Sequence, residues 1–429
     1  MAMLLSSVVA NAYDFEVDGI YYNIISASEI TLEVTHGDNY YTGTVVIPST
    51  VTYKSKKLTV TRIGKEAFDS CEELVSVEIP NSVTSIEKRA FTFCKSLTSI
   101  TIPNSVTRIG SEAFAFCQSL TSITIPNSVM SIEAWAFDGC GLKDLYIENG
   151  TESLILEYSS EGPFYGCDEL ETLHLGRNLS YNYTGSSSEK YLKSPFCDNK
   201  ALRTVTIGSC VTKIADKTFD GCTALKELLI EDGTTTLSLG YNQDEEGLFY
   251  DCPLENIYLG RNLSYKDSRG YGYSPFYNKN LKSLTIGNNV ERIGKNAFKD
   301  CSLTSIYLLA QAPPSVGDGN FTGEQYLNVI LYVPQGLLGT YQNADTWKNF
   351  WDIQEFNATR IDEVNTNDIA IAVTANGISL SDADGKAVAV YTVAGALVEK
   401  IDSYAGEEIT LDKGVYIVRV GNNTLKVRL

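Results

Sequence analysis

Between residues 63 and 140 the apolar and polar positions recur at a fixed step. Ile63-Gly-Lys-Glu-Ala-Phe68-Asp-Ser-Cys71 returns as Ile86-Glu-Lys-Arg-Ala-Phe91-Thr-Phe-Cys94, Ile109-Gly-Ser-Glu-Ala-Phe114-Ala-Phe-Cys117 and Ile132-Glu-Ala-Trp-Ala-Phe137-Asp-Gly-Cys140, with the cysteines 23 residues apart. A constant period of this length predicts a solenoid, in which one short unit stacks on the next. In the unit Leu97-Thr-Ser-Ile100-Thr-Ile102-Pro103-Asn-Ser-Val106, the alternation at Ile100 and Ile102 predicts a short strand with one buried face. Pro103-Asn-Ser predicts the turn that ends it. Val106, Ile109, Ala113, Phe114 and Cys117 then carry the chain around the core and back. The signature Leu-x-x-hydrophobic-x-hydrophobic marks rungs starting at Leu74, Leu97, Leu120, Leu142, Leu170, Leu202, Leu225, Leu254, Leu281 and Leu303. At about 4.8 Å per rung these make a parallel ladder of roughly 45–50 Å.

The phrase Leu-Thr-Ser-Ile-Thr-Ile-Pro-Asn-Ser-Val-Thr-x-Ile-Gly-x-x-Ala-Phe-x-x-Cys resembles the BspA-like (treponemal type) leucine-rich repeat family, over about residues 45–350. The resemblance implies surface or secreted proteins of host-associated bacteria, often linked to adhesion. It implies no reaction and no universal ligand.

A longer period overlies the short one. Leu142-Lys-Asp-Leu-Tyr-Ile-Glu-Asn-Gly-Thr is echoed by Leu225-Lys-Glu-Leu-Leu-Ile-Glu-Asp-Gly-Thr, and Gly176-Arg-Asn-Leu-Ser-Tyr181 by Gly260-Arg-Asn-Leu-Ser-Tyr265. Ser194-Pro-Phe196 matches Ser274-Pro-Phe276 in the same way. A block of roughly 80 residues is therefore duplicated, at 142–222 and 225–301, inside a repeat region of 63–303. Its stretched units carry insertions, which in a solenoid fall on loops along one side.

The ends read differently. Met1 to Ala12 is a short apolar run ending in Ala-x-Ala, the tail of a secretory signal peptide or, alternatively, a buried first strand. Residues 13–62 read as a β-rich N-terminal cap and 304–356 as a C-terminal cap, whose Tyr341, Trp347 and Phe350 suit a helical turn over the end of the core. Residues 357–368 read as a polar linker, and 369–429 as a small all-β sandwich with strands near 388–393, 408–411, 415–420 and 424–429. In that module Val390-Tyr-Thr-Val-Ala-Gly395 followed by Gly414-Val-Tyr-Ile-Val-Arg-Val420 resembles the C-terminal sorting domain of type IX secretion, which implies export across the outer membrane. The expected fold class is thus mainly β: a leucine-rich-repeat solenoid with short helices and turns, plus the C-terminal module.

Charge and residue usage narrow the function. A net charge of −19 argues against nucleic acid or an anionic membrane surface as partner. No run of about 20 apolar residues predicts a membrane span. Eight of the ten cysteines (71, 94, 117, 140, 167, 222, 252 and 301) share one phase of the repeat. A ladder of stacked identical side chains fits disulfide geometry poorly, so free thiols acting as small apolar fillers are expected. No Cys-x-x-Cys occurs and the histidines are only His36 and His174, so neither a metal nor a cofactor is expected. An enzyme would have to centre on His174, and none is expected. Asp244-Glu245-Glu246 reads as a solvated turn, and Asp382-x-Asp384-Gly385 as a hairpin turn rather than a calcium loop.

A binding face is better supported. The residue between the two buried ones in each strand points to the concave solvent side. That column reads Glu78, Thr101, Thr124, Tyr146, His174, Thr206, Leu229, Tyr258, Thr285, Tyr307, and its candidate ligand-binding members are Tyr146, His174, Leu229, Tyr258 and Tyr307. Rigid rings on an open sheet suit recognition, although cross-strand packing favours Tyr and Thr as well. The insertions add Tyr181, Tyr183 and Tyr191 in one copy and Tyr265, Tyr271 and Tyr273 in the other, either as contacts or as rings packed on the outer rungs. The expected function is that of a monomeric, secreted or outer-surface, adhesin-like protein that binds a host or matrix protein through the concave face. A glycan-binding scaffold and a ligand-free structural protein are the alternatives.

Overall fold

The computed structural model describes residues 13–26, 28–183, 194–240, 247–249, 252–265, 275–276, 280–356, 370–374, 377–381, 383–392, 397–401, 403–411, 415–420 and 423–428. The segments 1–12 and 357–368 lie outside the described residues. The chain divides into two compact units, one of residues 1–173, 177–202 and 217–223, the other of 174–176, 203–216 and 224–429.

In the first unit, an antiparallel meander of Phe15–Val17, Ile20–Ser26 and Thr31–Thr35 feeds into a parallel ladder at Lys56–Ile63. The predicted rung strands are present at Leu74–Glu78, Ser99–Ile100, Ser122–Ile125 and Asp144–Ile147. Each unit also makes a second strand that the sequence reading had taken as connecting chain. In register, Ile63, Ile86, Ile109, Ile132 and Leu156 stack along this second ladder, all buried. The Thr-x-Ile-Gly half of the repeat is therefore as much a strand as the Ile-Thr-Ile half. Both bury one β-branched column against the same core.

The Ala-Phe-x-x-Cys segment closes the unit by an unusual backbone. Glu66, Ser70, Arg89, Phe93, Glu112 and Phe116 all adopt φ between 56° and 59°, with no glycine among them. Left-handed backbone costs an ordinary residue about 1–2 kcal/mol. Here hydrogen bonds between neighbouring turns offset it. Arg89, Phe91 and Phe93 donate their amides to the carbonyls of Ser111, Ala113 and Ala115, at 2.9, 2.7 and 2.9 Å. This geometry holds the phenylalanines in one stack. Phe68, Phe91, Phe114, Phe137 and Phe164 are parallel within 9° and 4.8–5.3 Å apart. Each contributes about 1.5–3 kcal/mol of burial.

The ten cysteines are thiols rather than disulfides, and the eight of the common phase are buried. They are more than apolar filler. Cys94, Cys117, Cys140 and Cys167 each donate a thiol hydrogen to the carbonyl of the phenylalanine one turn back, at 3.1, 3.1, 2.9 and 3.1 Å.

In the second unit the rung strands run parallel from Thr204–Ile207 through Glu227–Ile230, Asn256–Arg261, Ser283–Asn289 and Ser305–Leu308. Two further strands, Ile330–Pro334 and Asp352–Phe356, extend the ladder beyond the last predicted rung. The helix Gly323–Asn328 precedes the first of them, and the helix Leu338–Gln342 and the 3-10 turn Trp347–Asn349 lie between the two. Tyr341 and Trp347 donate to the carbonyls of Ala310 and Pro314, at 2.7 and 2.8 Å. The C-terminal residues form two antiparallel sheets, one of Ala370–Val373, Gly377–Ser381 and Ile409–Thr410, the other of Val388–Thr392, Leu397–Ile401, Val415–Val420 and Asn423–Arg428. Ile378, Leu380 and Ile409 from one sheet share a core with Val388, Val390, Val418 and Val420 from the other.

The duplicated motifs have a structural cause. In the first copy Arg177 is fully buried and donates to the carbonyls of Pro126 and Asn127, both at 2.9 Å, while Glu148 accepts the amide of Asn127 at 2.9 Å. In the second, Arg261 donates to Gly208 and Ser209 at 2.7 and 2.8 Å, and Glu231 accepts the amide of Ser209 at 2.8 Å. The glycine of each Glu-Asn/Asp-Gly-Thr phrase makes room for the arginine. A Cβ on Gly150 or Gly233 would stand 3.3 or 3.2 Å from the Cδ of Arg177 or Arg261. The repeat-within-a-repeat is thus a clamp on the turn two rungs earlier in the chain.

Candidate recognition surface

The middle residues of the second unit's strands form one solvent-facing column, in register from Thr206 through Leu229, Tyr258, Thr285, Tyr307 and Tyr332 to Gln354. Leu229, Tyr258 and Tyr307 are half-buried there, as is Tyr146 in the first unit, where it pairs with exposed Thr124. Tyr307 stacks on Tyr332 with centroids 4.6 Å apart and planes 8° from parallel, and Phe356 meets both rings edge-on at 5.7 and 6.4 Å. Burial and the neighbouring phenol raise the Tyr307 hydroxyl above its ordinary pKa, so it remains a donor at neutral pH. Tyr332 and Phe356 were missed because the column was ended at the last regular repeat. The alternation Leu331-Tyr332-Val333 in the cap carried the signal.

His174 does not stand where the alternation puts it. It is 5% exposed, and burial pushes its imidazole down to about 4, so the ring is neutral at physiological pH. The strand Thr172–Leu175 is buried at three successive positions rather than alternately, which breaks the rule that placed His174 in solvent.

Tyr181 and Tyr265 are not displayed on loops. Tyr181 lies in the strand Leu179–Tyr183 opposite Leu156, so it continues the inward column of Ile109 and Ile132. Burial raises its pKa, with hydrogen bonding to Ser194 and Thr218 opposing, and its ring meets Tyr158 edge-on at 5.9 Å. Tyr265 donates to the carbonyl of Lys295 at 2.8 Å. Both rings are packing groups of the second ladder. Tyr183 ends the same strand as Tyr181, and Tyr191, Tyr271 and Tyr273 lie outside the described residues.

A polar pair accompanies the column. Tyr258 donates to the carboxylate of Asp232, whose oxygens stand 2.8 and 3.0 Å away. Both groups lie over Gly287, where a Cβ would come within 2.6 Å of Asp232 Oδ1 and 2.9 Å of the Tyr258 hydroxyl. Among the described residues no group of His, Cys, Asp and Glu has the arrangement of a metal site, and no helix is long and apolar enough to cross a membrane.

Comparison with solved structures finds bacterial leucine-rich repeat proteins. One from Bacteroides ovatus is 24% identical, covering 80% of this chain and all of its own, with TM-score 0.33. The leucine-rich repeat protein of T. pallidum is 23% identical over 56% of this chain and 91% of its own, with TM-score 0.36. The pneumococcal vaccine antigen PcpA is 19% identical over 80% of this chain and 98% of its own, with TM-score 0.29. No curated protein matches the sequence significantly. The family model for the BspA type leucine rich repeat region matches in six copies, over residues 45–171, 151–274 and 190–328. These matches take in well over half of the chain and coincide with the ladders described above, and the chain belongs to the BspA type leucine rich repeat family.

Proposed function

We propose that this chain is an exported, cell-surface recognition protein, and that it binds a host or matrix protein through the solvent-facing column of the second unit. The observation that carries the reading is the Tyr307–Tyr332–Phe356 cluster, three rings held on the open face of a sheet by one another. Such rings lose little entropy on binding and give large contact area. Export rests on the apolar run before Asn11-Ala12 and on the resemblance of residues 369–429 to a sorting domain. The chain is read as a non-catalytic scaffold, in keeping with its architecture of stacked leucine-rich repeats.

A glycan-binding scaffold is the second reading, favoured by the same tyrosines. A sugar stacks on a ring face, and the 4.6 Å stack covers one face of Tyr307 and one of Tyr332, which favours a protein. The test is capture from matrix and host-surface extracts by the full chain and by Tyr258→Ser/Tyr307→Ser, with far-UV circular dichroism as the folding control. A partner retained by the wild type and lost by the folded variant supports the reading. Equal capture overturns it, and signal confined to a glycan array transfers the column to the second reading.

A further inference from the structure

The duplicated block supplies an internal comparison. Thr206-Ile-Gly208 in the first copy corresponds to Thr285-Ile-Gly287 in the second, and around these shared elements the two copies differ. Where the second copy has Asp232 and Tyr258, the first has Asn149 and His174, and the rung after Thr206 carries Leu229 where the rung after Thr285 carries Tyr307. The repeat fold accepts a neutral amide, a buried imidazole and an aliphatic side chain at these positions. The carboxylate and the two phenols around Thr285 are therefore not demands of the fold.

Around Thr285 these residues make a notch. Thr285 pairs with Tyr258 on one side and Tyr307 on the other, so the two tyrosines rise from strands two rungs, about 10 Å, apart. The floor between them is the short Thr285 side chain and the bare backbone of Gly287. One ring face of Tyr307 is covered by Tyr332, which fixes the ring, and the other is turned toward Thr285. Over Gly287 hangs the Asp232 carboxylate, held by Tyr258 and exposed to solvent. A carboxylate that accepts one phenol retains capacity for further donors.

The charges around the notch are one-sided. Along the ladder that runs from Thr204 to Phe356, the strand positions on the side of the column are Thr204, Thr206, Glu227, Leu229, Asn256, Tyr258, Ser283, Thr285, Ser305, Tyr307, Ile330, Tyr332, Asp352, Gln354 and Phe356, with two carboxylates and no lysine or arginine; the exposed Lys213 and Arg292 belong to strands of other sheets. Arg203, Lys226 and Lys282 sit just before the strands, at the end away from Asp232, and Lys226 is paired with Glu255 at 2.7 Å; Arg261, whose stem lies beside Gly233, is buried and committed to the carbonyls of Gly208 and Ser209. The whole chain carries −19. We propose, resting on the recognition reading above, that the Tyr258–Thr285–Tyr307 notch with Asp232 at its end receives an arginine side chain of the partner protein. The guanidinium is planar, stacks on a tyrosine face and meets a carboxylate with paired donors, and the alkyl stem lies along the threonine floor. A lysine ammonium supplies the charge without the stacking or the fork.

The test uses the full chain and a fluorescent Gly-Arg repeat peptide, with Gly-Lys and Gly-Gln repeats as comparisons, read by anisotropy. Asp232→Asn places in the second copy the residue the first already tolerates, and Tyr307→Leu places after Thr285 the residue that follows Thr206, so folding is expected to survive and is checked by thermal melting. Glu152→Gln changes the net charge as Asp232→Asn does, at an exposed site in the first unit. The expected result is tighter binding of the arginine peptide than of the lysine peptide, about fivefold weaker binding by each notch variant, and no change for Glu152→Gln. Equal loss in Asp232→Asn and Glu152→Gln, equal affinity for the two basic peptides, or no binding to the wild type overturns the assignment. Those outcomes leave the recognition reading standing if capture in the extract experiment still requires the tyrosines.

Discussion

The thiol of Cys117 donates to the carbonyl of Phe91, 3.1 Å away, and the same carbonyl accepts the amide of Cys94 at 3.3 Å. One turn's thiol thus fills the second lone pair of the carbonyl beneath it. If the sulfur were only an apolar filler, Cys117→Ala would be better tolerated than Cys117→Ser, because a buried hydroxyl without a partner is costly. With a waiting acceptor the order reverses. Cys117→Ser is expected to be the more stable of the two by about 1 kcal/mol, read as a shift in urea midpoint at constant slope. An alanine variant that equals or exceeds the serine variant removes the donor role.

Burial makes the same thiols inert. Cys71 and Cys222 are pushed by desolvation up to about 12, and burial likewise raises Cys117 and Cys167 well above the ordinary thiol value. Because the folded pKa lies above the unfolded one, each such thiol stabilises the fold fully below about 9, and that contribution fades as pH climbs through the folded value. Tyr22, pushed up to about 12 by burial, acts in the same direction. The melting temperature should therefore be flat up to about pH 8.5 and decline steadily between about 9 and 12. Cys71→Ala and Cys222→Ala should each make that decline shallower, and parallel curves would show that other groups set it. At about pH 8 an alkylating reagent should label only Cys197 and Cys210, the two of intermediate burial, until urea exposes the rest.

Arg62, Glu87, Arg108 and Glu133 form a chain of ion pairs along the second ladder. Arg62 lies 3.3 Å from Glu87, and Arg108 reaches Glu87 at 3.0 Å and Glu133 at 2.7 Å. Arg108 is 43% exposed, so solvent screens most of the attraction. Arg108→Ala is expected to lower stability by about 1 kcal/mol in dilute buffer and by clearly less in about 1 M salt, where charges are screened within a few ångströms. Urea midpoints of wild type and variant at the two ionic strengths provide the comparison. A difference that salt leaves unchanged would locate the loss in the packing of the arginine stem.

How far the sequence disclosed this molecule depends on whether a side chain's surroundings repeat with it. The rungs from Leu74 to Leu303 were legible because strand alternation has period two and the repeat is fixed, so one unit explains ten. The second ladder was not, since Arg108–Ile109 and Ser131–Ile132 are strands of two residues, too short to show any alternation. The left-handed turns at Arg89 and Glu112 were invisible for a different reason. They are imposed by hydrogen bonds from the neighbouring turn and not by a glycine or asparagine in the sequence. At the candidate surface, alternation puts Tyr258 and Tyr307 on the open face, as the structure does, and fails at His174, where three consecutive positions are covered. Asp232 escaped notice because it follows its strand and joins the surface only through Tyr258, 26 residues away.

The clamp formed by Arg261 offers the sharpest test of the duplicated block. Arg261 and Glu231 hold opposite sides of one turn residue, the carbonyl and the amide of Ser209, and both are buried. Glu231 favours the charged form of Arg261 against the desolvation that lowers its pKa. Removing one member of a buried charged pair strands the other, at a cost of about 3–5 kcal/mol, whereas removing both is far milder. Arg261→Leu should therefore be severely destabilising, and Glu231→Gln in the same chain should restore a large part of the loss. Gly233→Ala should push against the Arg261 stem, 3.2 Å from the new methyl, at a smaller cost. A double-mutant cycle on unfolding free energies measures the coupling between Arg261 and Glu231. Additive losses would mean that each residue binds the turn independently, and the motif would then be two separate hydrogen-bonding devices.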